Sequence, residues 1–451
     1  MTVKSSSRIA SITARICVLA VLASLPCVSL AGTSDESLAH AVKSGDEAAA
    51  RALLSDRRAD PNQRLPDGST LLAWAIESQN REIVRLLLAR GAKANEPGFP
   101  SVAPLIVACQ YGDPAILEML LDAGADVNAA RPDGIAPLSL CAGNASAAIL
   151  QRLITSGATV DKADENGQTP LMWAAAKGRV ENIHLLLEHG AQVNRQTAKG
   201  FTPLFFALKS GIPEAPVVVL EAGGNADYVG PDGTSVVQLA MYQKDYAFAA
   251  RMIERGANLT ALDRNGNQLL HAAVLANQPS LVKLLLAKGA DANALTSASK
   301  VTLRFEVNFT SAQFVAQPKS PLLLAAESGF ADVMQTLVDA GANTKFRTPD
   351  GTNIVLAAAG SGKLAALELA LQLEPDANVT TSDGQTPLHV LVANGAGNEI
   401  GSMMKLLADK GARLDIKDRA GHTPADVAKD AQTDAQLAFA ATFEKRAGGN
   451  L

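Results

Sequence analysis

Residues 163–194 read ADENGQTPLMWAAAKGRVENIHLLLEHGAQVN, and this stretch decides the fold because most of the chain repeats it. Its turn glycine recurs at intervals of 33 or a multiple of 33, at Gly68, Gly134, Gly167, Gly200, Gly233 and Gly266, and again from Gly351 to Gly384. A second glycine keeps the same spacing, at Gly91, Gly124, Gly157, Gly190, Gly223, Gly256 and Gly289. A period this strict predicts a solenoid built from stacked supersecondary units.

Each repeat carries the signals of a tight turn followed by two short helices. Thr169 is a preferred N-cap residue, and Pro170 fits the first helical turn, where a missing N–H costs nothing. The small side chains of Ala174 and Ala175 allow the next repeat to approach closely. Gly190 supplies the left-handed residue that commonly ends a helix. The repeat therefore predicts helix, turn, helix.

The signatures Asp-x-x-Gly-x-Thr-Pro-Leu-x-x-Ala-Ala and Gly-Ala-x-x-Asn resemble those of the ankyrin repeat family, over nearly the whole chain after Ala31. The resemblance implies an all-α repeat solenoid of stacked helix-turn-helix repeats with β-hairpin fingers. We expect an ankyrin repeat domain over 32–447, with about eleven repeats and a terminal cap. A loose tail would follow at 448–451.

The spacing breaks between Gly266 and Gly351, where the interval exceeds two periods. The extra residues lie at 298–318, where apolar and polar residues alternate from Val301 to Phe309. Alternation with period two predicts a β-like insertion, with Phe314-Val315 as a hairpin partner. Two interpretations stay open: an elongated finger that lies on its neighbours, or a docking strand for β-augmentation by a partner.

Residues 1–31 have the pattern of a secretory signal peptide, with early positive charge, an apolar run from Ile16 to Leu25, and small residues at Ser29 and Ala31. The run is shorter than the roughly 20 residues that a membrane span needs, which favours cleavage over a retained anchor. The chain thus resembles exported bacterial ankyrin repeat proteins. We expect a periplasmic location, or secretion as the alternative.

Net charge limits the classes of partner that the protein can bind, and the cysteine positions indicate whether a disulfide can form. Net charge is -5, and about -8 without the leader, which argues against nucleic acid and gives no polybasic membrane patch. After cleavage, Cys109 and Cys141 remain, on first helices of adjacent repeats. Packed helices lie about 8–10 Å apart, whereas a disulfide needs Cα atoms nearer than about 7 Å. We therefore expect two buried free thiols.

Several residues resemble catalytic or ligand-binding motifs, but we expect none of them to act in that way. His40, His271 and His389 share one repeat position, and the family resemblance implies that this histidine bonds the backbone of the neighbouring finger. Residues 360–363 resemble a phosphate loop, but Ala357 stands where its first glycine belongs. No His, Cys and carboxylate residues have zinc-ligand spacing. We expect no catalysis, no cofactor and no metal; a cryptic enzyme around 298–318 would need a polar cluster that the sequence lacks.

The resemblance also implies that first helices and finger tips line a concave groove where partners bind. Aromatic residues make up only 4% of the chain, and several fall at groove positions, counted from the turn glycine. Aromatic side chains commonly anchor protein interfaces. The predicted partner-binding residues are Trp74, Phe99, Tyr111, Trp173, Phe201, Phe206 and Tyr242. The alternative is that tryptophan at this position packs against the adjacent repeat.

Together these observations predict a monomeric, non-catalytic scaffold or accessory protein that binds a protein partner, not nucleic acid or, after cleavage, membrane. An inhibitor or immunity protein that blocks a toxin or enzyme is the alternative. A secreted effector that binds a host protein is a more remote one.

Overall fold

The computed structural model describes residues 34–98, 101–297, 302–304, 311–313, 317–394 and 398–444. In this part of the chain, 24 α-helices form twelve consecutive pairs. They are α1 Ser34–Ser44, α2 Glu47–Ser55, α3 Leu71–Glu77, α4 Arg81–Ala89, α5 Pro104–Tyr111, α6 Pro114–Asp122, α7 Pro137–Asn144, α8 Ala147–Thr155, α9 Pro170–Ala176, α10 Val180–Glu188, α11 Pro203–Lys209 and α12 Glu214–Glu221. They continue as α13 Val236–Tyr242, α14 Tyr246–Glu254, α15 Leu269–Leu275, α16 Pro279–Ala287, α17 Pro321–Ser328, α18 Ala331–Asp339, α19 Ile354–Ser361, α20 Leu364–Leu373, α21 Pro387–Asn394, α22 Ile400–Asp409, α23 Pro424–Lys429 and α24 Thr433–Phe439, before a π-helical turn at Ala440–Glu444.

The helices stack in two ladders. Each first helix packs on the first helix of the next pair, from α1 to α23, and second helices pack likewise from α2 to α12 and from α14 to α24. One continuous apolar core runs between the ladders, and side chains such as Leu171, Ile183 and Leu186 are fully buried in it. Burying one such side chain stabilises the fold by about 1.5–3 kcal/mol. The predicted all-α solenoid is confirmed.

The finger turns are tied to one another along the stack. Gly167 has φ +76°, and a Cβ on it would lie 2.8 Å from the backbone nitrogen of Ala198 in the next finger. That close approach allows the Ala198 N–H to donate to the carbonyl of Asn166 at 2.8 Å. The expected β-hairpin fingers were wrong in detail: the described fingers are tight turns with at most an isolated bridge, such as Arg64 to Thr70.

Thr169 occupies the predicted N-cap of α9, but its hydroxyl makes no capping bond and is buried without a hydrogen-bond partner. The hydroxyl of Thr386, at the same repeat position, lies 2.8 Å from the imidazole Nδ1 of His389, three positions on. Thr169 has the apolar Met172 three positions on, which offers no such side-chain partner. Thr70 shows the expected cap, since its hydroxyl accepts the N–H of Ala73 at 3.1 Å.

Cys109 and Cys141 form a disulfide, so the expectation of two free thiols was wrong. They lie in α5 and α7, and their Cα atoms are only 4.6 Å apart. The error was to compare the distance between helix axes with a distance between Cα atoms. The Cα atoms lie about 2.3 Å from each axis, so facing residues on axes about 8–10 Å apart come within roughly 4–5 Å.

The stack continues across the insertion, because α15 packs on α17 and α16 packs on α18 as in other neighbouring pairs. At its base, the Thr296 N–H donates to the carbonyl of Lys319 at 2.9 Å. Strand β1, Thr302–Arg304, pairs antiparallel with β2, Ser311–Gln313, so the partner strand begins before the expected Phe314-Val315, which lies outside the described residues. Both interpretations of the insertion, an elongated finger or a docking strand, stay predictions.

Candidate partner-binding surface

The floor of the candidate surface is formed by the exposed sides of α9, α11, α13 and α15. Trp173 and Phe206 hold the same position in successive repeats, and both are half-buried. Lys177 follows Trp173 by four residues, and Lys209 follows Phe206 by three. Residues at these spacings lie on one side of a helix, so each aromatic ring has a lysine beside it one turn further on.

One finger joins this floor. Phe201 and Phe206 line a cavity of about 160 Å³ together with Lys199, and the remaining lining residues are Asn166, Gln168 and Thr197. Phe201 is held in place by the buried Phe205, with ring centroids 6.0 Å apart. The structure therefore brings together two predicted aromatic residues, one from a finger and one from a helix, around an opening of side-chain size.

Tyr242 lies one repeat beyond Phe206 and is 41% exposed. Its hydroxyl donates to a carboxylate oxygen of Asp263, which is fully buried at the base of the next finger. Burial of the phenol, together with this bond to Asp263, raises the pKa of Tyr242 well above its usual range. The ring is thus fixed in one orientation with an accessible face.

The other predicted residues lie elsewhere. Trp74 is half-buried, and the ammonium nitrogen of Lys43 sits 5.1 Å from its ring centroid, a cation–π contact within the protein. Tyr111, at 49% exposure, ends α5 two repeats before Trp173. Phe99 lies outside the described residues. The indole N–H of Trp173 is buried and has no hydrogen-bond partner among the described residues.

The sequence-based prediction missed several exposed apolar residues. Leu275, on α15, is 43% exposed and lies one full period after Tyr242. Three more share the position six residues after the helix-ending glycine of successive repeats, again one period apart: Val229, Leu262 and Leu295. Restricting the search to aromatic side chains hid them. The repeat spacing applied to aliphatic residues would have found both rows.

Two of the three shared-position histidines behave as expected. The Nε2–H of His271 donates to the carbonyl of Ala294 at 2.9 Å, and its Nδ1 accepts the N–H of Gln268. His389 bonds Thr386 and the carbonyl of His422 in the same way. His40 does not: it is exposed, because α1 runs unbroken from Ser34 and leaves no N-cap for the imidazole to join.

No alternative chemical site emerges from the described ranges. Within them, no group of three or more His, Cys, Asp or Glu side chains could hold a metal ion. The phosphate-loop-like residues 360–363 form the end of α19, where Gly362 takes the left-handed conformation with φ +69°. None of the described helices combines the length and the apolar character needed to span a bilayer.

Sequence comparison agrees with this architecture. Family profiles described as ankyrin repeats (3 copies) match residues 38–131, 138–226 and 322–418, and one described as ankyrin repeats (many copies) matches 237–286. These matches cover well over half of the chain, and the protein belongs to the ankyrin repeat family. The insertion falls between matches. Members of this family are usually non-catalytic modules that bind other proteins.

The chain is also similar to Dauer abnormal formation protein 25 of Caenorhabditis elegans, with 31% identity over 111 residues. The similar region is 25% of this chain and 28% of that protein. The chain thus matches less than a third of that relative's length.

Proposed function

We propose that this protein is an exported, non-catalytic binding protein that holds a protein partner on the surface formed by α9, α11, α13, α15 and their fingers. The observation that carries the proposal is the cavity between Phe201 and Phe206, with the half-buried Trp173 on the preceding first helix and the exposed Tyr242 on the following one. Pockets lined by aromatic residues are where protein interfaces concentrate their binding energy. The protein acts as a monomeric scaffold or accessory protein in the periplasm.

Two independent features support export. Residues 1–31 have the three-part pattern of a signal peptide. The Cys109–Cys141 disulfide joins two buried positions of the stack, and such bonds form and persist in oxidising compartments rather than in the cytosol. The disulfide is the stronger of the two because it is a feature of the folded chain.

A photocrosslinking experiment tests the binding surface. Phe206 is replaced by photoreactive benzoyl-phenylalanine in the native cells, and Leu437 is replaced in a control variant. Leu437 is 65% exposed on α24, far along the stack. We expect one discrete protein adduct at position 206 and none at 437. Equal adducts at both positions, or none at 206, would contradict the proposal.

Export has its own test. Fractionation of the same cells should place the protein in the osmotic-shock fluid with a mass lower by the leader. Its two remaining cysteines should react with a maleimide only after reduction. Recovery of the protein from the cytosol with reactive thiols would contradict export, but it would not bear on the proposed binding surface.

A further inference from the structure

A row of side chains at the ends of four consecutive first helices changes from charged to apolar halfway along. Lys177, Lys209, Tyr242 and Leu275 occupy the last turn or the cap of α9, α11, α13 and α15, and all four are exposed. Each lies one repeat beyond the last, within one position of the full period. The row is therefore cationic over two repeats and apolar over the next two.

The lysines are available to a partner. Lys177 and Lys209 make no ion pair or side-chain hydrogen bond with any described residue, and neither does Lys199, which lines the neighbouring cavity. Acidic residues of these repeats lie on finger tips, such as Glu165 and Asp232, and on second helices, such as Glu181 and Glu214. By contrast, Lys319, in the next repeat after Leu275, is neutralised by Glu327 at 2.7 Å. Among the four members of the row, the positive charge lies at one end.

The spacing of the row restricts the shape of what could contact all four side chains. Adjacent packed helices are about 8–10 Å apart, so successive members of the row are separated by roughly 10 Å. An α-helix returns to the same face after seven residues, a rise of about 10.5 Å. An extended strand returns to the same face every two residues, about 6.6 Å, which does not match this spacing.

From this register and charge we infer that the occupant of the surface is an amphipathic α-helix of the partner. Its contact face carries acidic side chains at positions i and i+7, opposite Lys177 and Lys209. Apolar side chains follow at i+14 and i+21, opposite Tyr242 and Leu275. The inference rests on the proposed function and specifies the partner segment by its chemistry. The cavity beside Phe206 admits one further side chain of the same helix.

The probe is a set of fluorescein-labelled 26-residue helical peptides, measured by fluorescence anisotropy against the full mature chain. The parent peptide carries Glu at i and i+7 and Leu at i+14 and i+21. In a second peptide, both Glu residues are Lys. In a third, the four residues are each moved by two positions, about 200° around the helix. We expect the parent to bind at least tenfold more tightly than either of the others.

Matched protein variants make the test specific. Lys177→Glu with Lys209→Glu should weaken parent binding about tenfold or more and should improve binding of the Lys-containing peptide. Lys283→Glu, an exposed position on the second helix α16, should change neither affinity. Equal binding of parent and Lys-containing peptides, or no effect of the double substitution, would overturn the inference.

The two proposals fail separately. If position 206 crosslinks a protein but the peptides do not discriminate, the surface binds a partner of other chemistry and the helix inference is wrong. If position 206 gives no adduct, the proposed function fails, whatever the peptides show.

Discussion

Helices α1–α8 and helices α9–α16 are built from the same 33-residue unit, but their variable positions serve different purposes. In the first region, side chains reach across to adjacent repeats. Four ion pairs do so: Arg51–Glu82, Arg64–Glu96, Arg81–Asp113 and Arg152–Asp122. The Cys109–Cys141 disulfide adds a covalent bond, and Lys43 covers the ring of Trp74. Polar side chains of the first region thus link adjacent repeats to one another.

In the second region, the lysines of the candidate surface have no partner within the described part of the protein. Lys177, Lys199 and Lys209 make no described ion pair, and Tyr242 and Leu275 expose more than 40% of their surface. Trp74 and Trp173 make the contrast clearest, since they hold the same repeat position and only Trp74 has a described cation over its ring. The position of a residue within the repeat therefore does not say whether its side chain is free to bind a partner. That depends on the side chains of the neighbouring repeat.

The largest effect should come from removing the covalent bond in the first region. Cys109→Ala with Cys141→Ala keeps the small side chains that this helix position favours, but it frees the unfolded chain from a loop of 32 residues. We expect a loss of about 2–4 kcal/mol in the free energy of unfolding, measured by urea titration. Hydrogen exchange should speed up in α1–α8 more than in α17–α24.

Reduced wild-type protein is the control, and it should match the double variant. Equal stability of the oxidised, reduced and substituted forms would show that the bond does not stabilise this region.

The next largest effect separates the two tryptophans. Trp173→Ala should weaken partner binding by about tenfold or more, because it removes an aromatic ring from α9, the helix that packs on the one carrying Phe206. Trp74→Ala should leave affinity within about twofold while lowering stability, since that ring packs internally against Lys43. Calorimetric titration with the partner identified by crosslinking measures the affinity of each variant, and thermal unfolding measures its stability. A greater loss of affinity in the Trp74 variant would reverse the assignment.

A smaller effect concerns pH. Burial lowers the pKa of His271 below its usual value, despite the carbonyl of Ala294 that accepts its Nε2–H. A lowered pKa means that the unfolded chain binds the proton more readily. The stabilising contribution is therefore complete above about pH 6.5 and is lost as pH falls below it.

Gln238, one repeat earlier, supplies the matched substitution. Its side chain accepts the N-cap N–H of Ser235 and donates to the carbonyl of Ala261, as His271 does in its own repeat. His271→Gln should keep stability within about 1 kcal/mol at pH 7.5 and reduce the decline between pH 6.5 and 5. Urea titrations across that range measure it; an unchanged pH slope would place the sensitivity elsewhere.

The smallest effect is expected for the insertion. Deleting residues 299–317 restores the 33-residue spacing, and α15 and α17 already pack directly. Stability should change by less than about 1 kcal/mol, because loop length contributes weakly to closure entropy. Thermal unfolding of the shortened chain is the measurement. A fall of the melting temperature by more than about 10 °C, well beyond what about 1 kcal/mol produces, would show that the insertion supports the stack.

Prediction from sequence succeeded for features that lie within one repeat or recur in all of them. The proline-started helices follow from local geometry repeated at the fixed glycine spacing, and the bonds of His271 and His389 are those that the family resemblance implied. It failed where the answer depends on contacts between repeats or on a departure from the consensus. The disulfide needed the actual Cα separation, and Thr169 and Thr70 hold the same repeat position but only Thr70 makes the capping bond. The prediction for His40 failed because the first repeat of the stack departs from the repeat pattern.

The sequence alone determined that this chain is an ankyrin solenoid, since a 33-residue period leaves each unit no way to bury its apolar face except against its neighbours. Only the tertiary structure decided which variable residues are satisfied and which are exposed. It placed Cys109 against Cys141, Lys43 over Trp74, and Phe201 beside Phe206 and Lys199. The physical reason is that such contacts depend on distances of a few ångströms between side chains of different repeats, which periodicity does not specify.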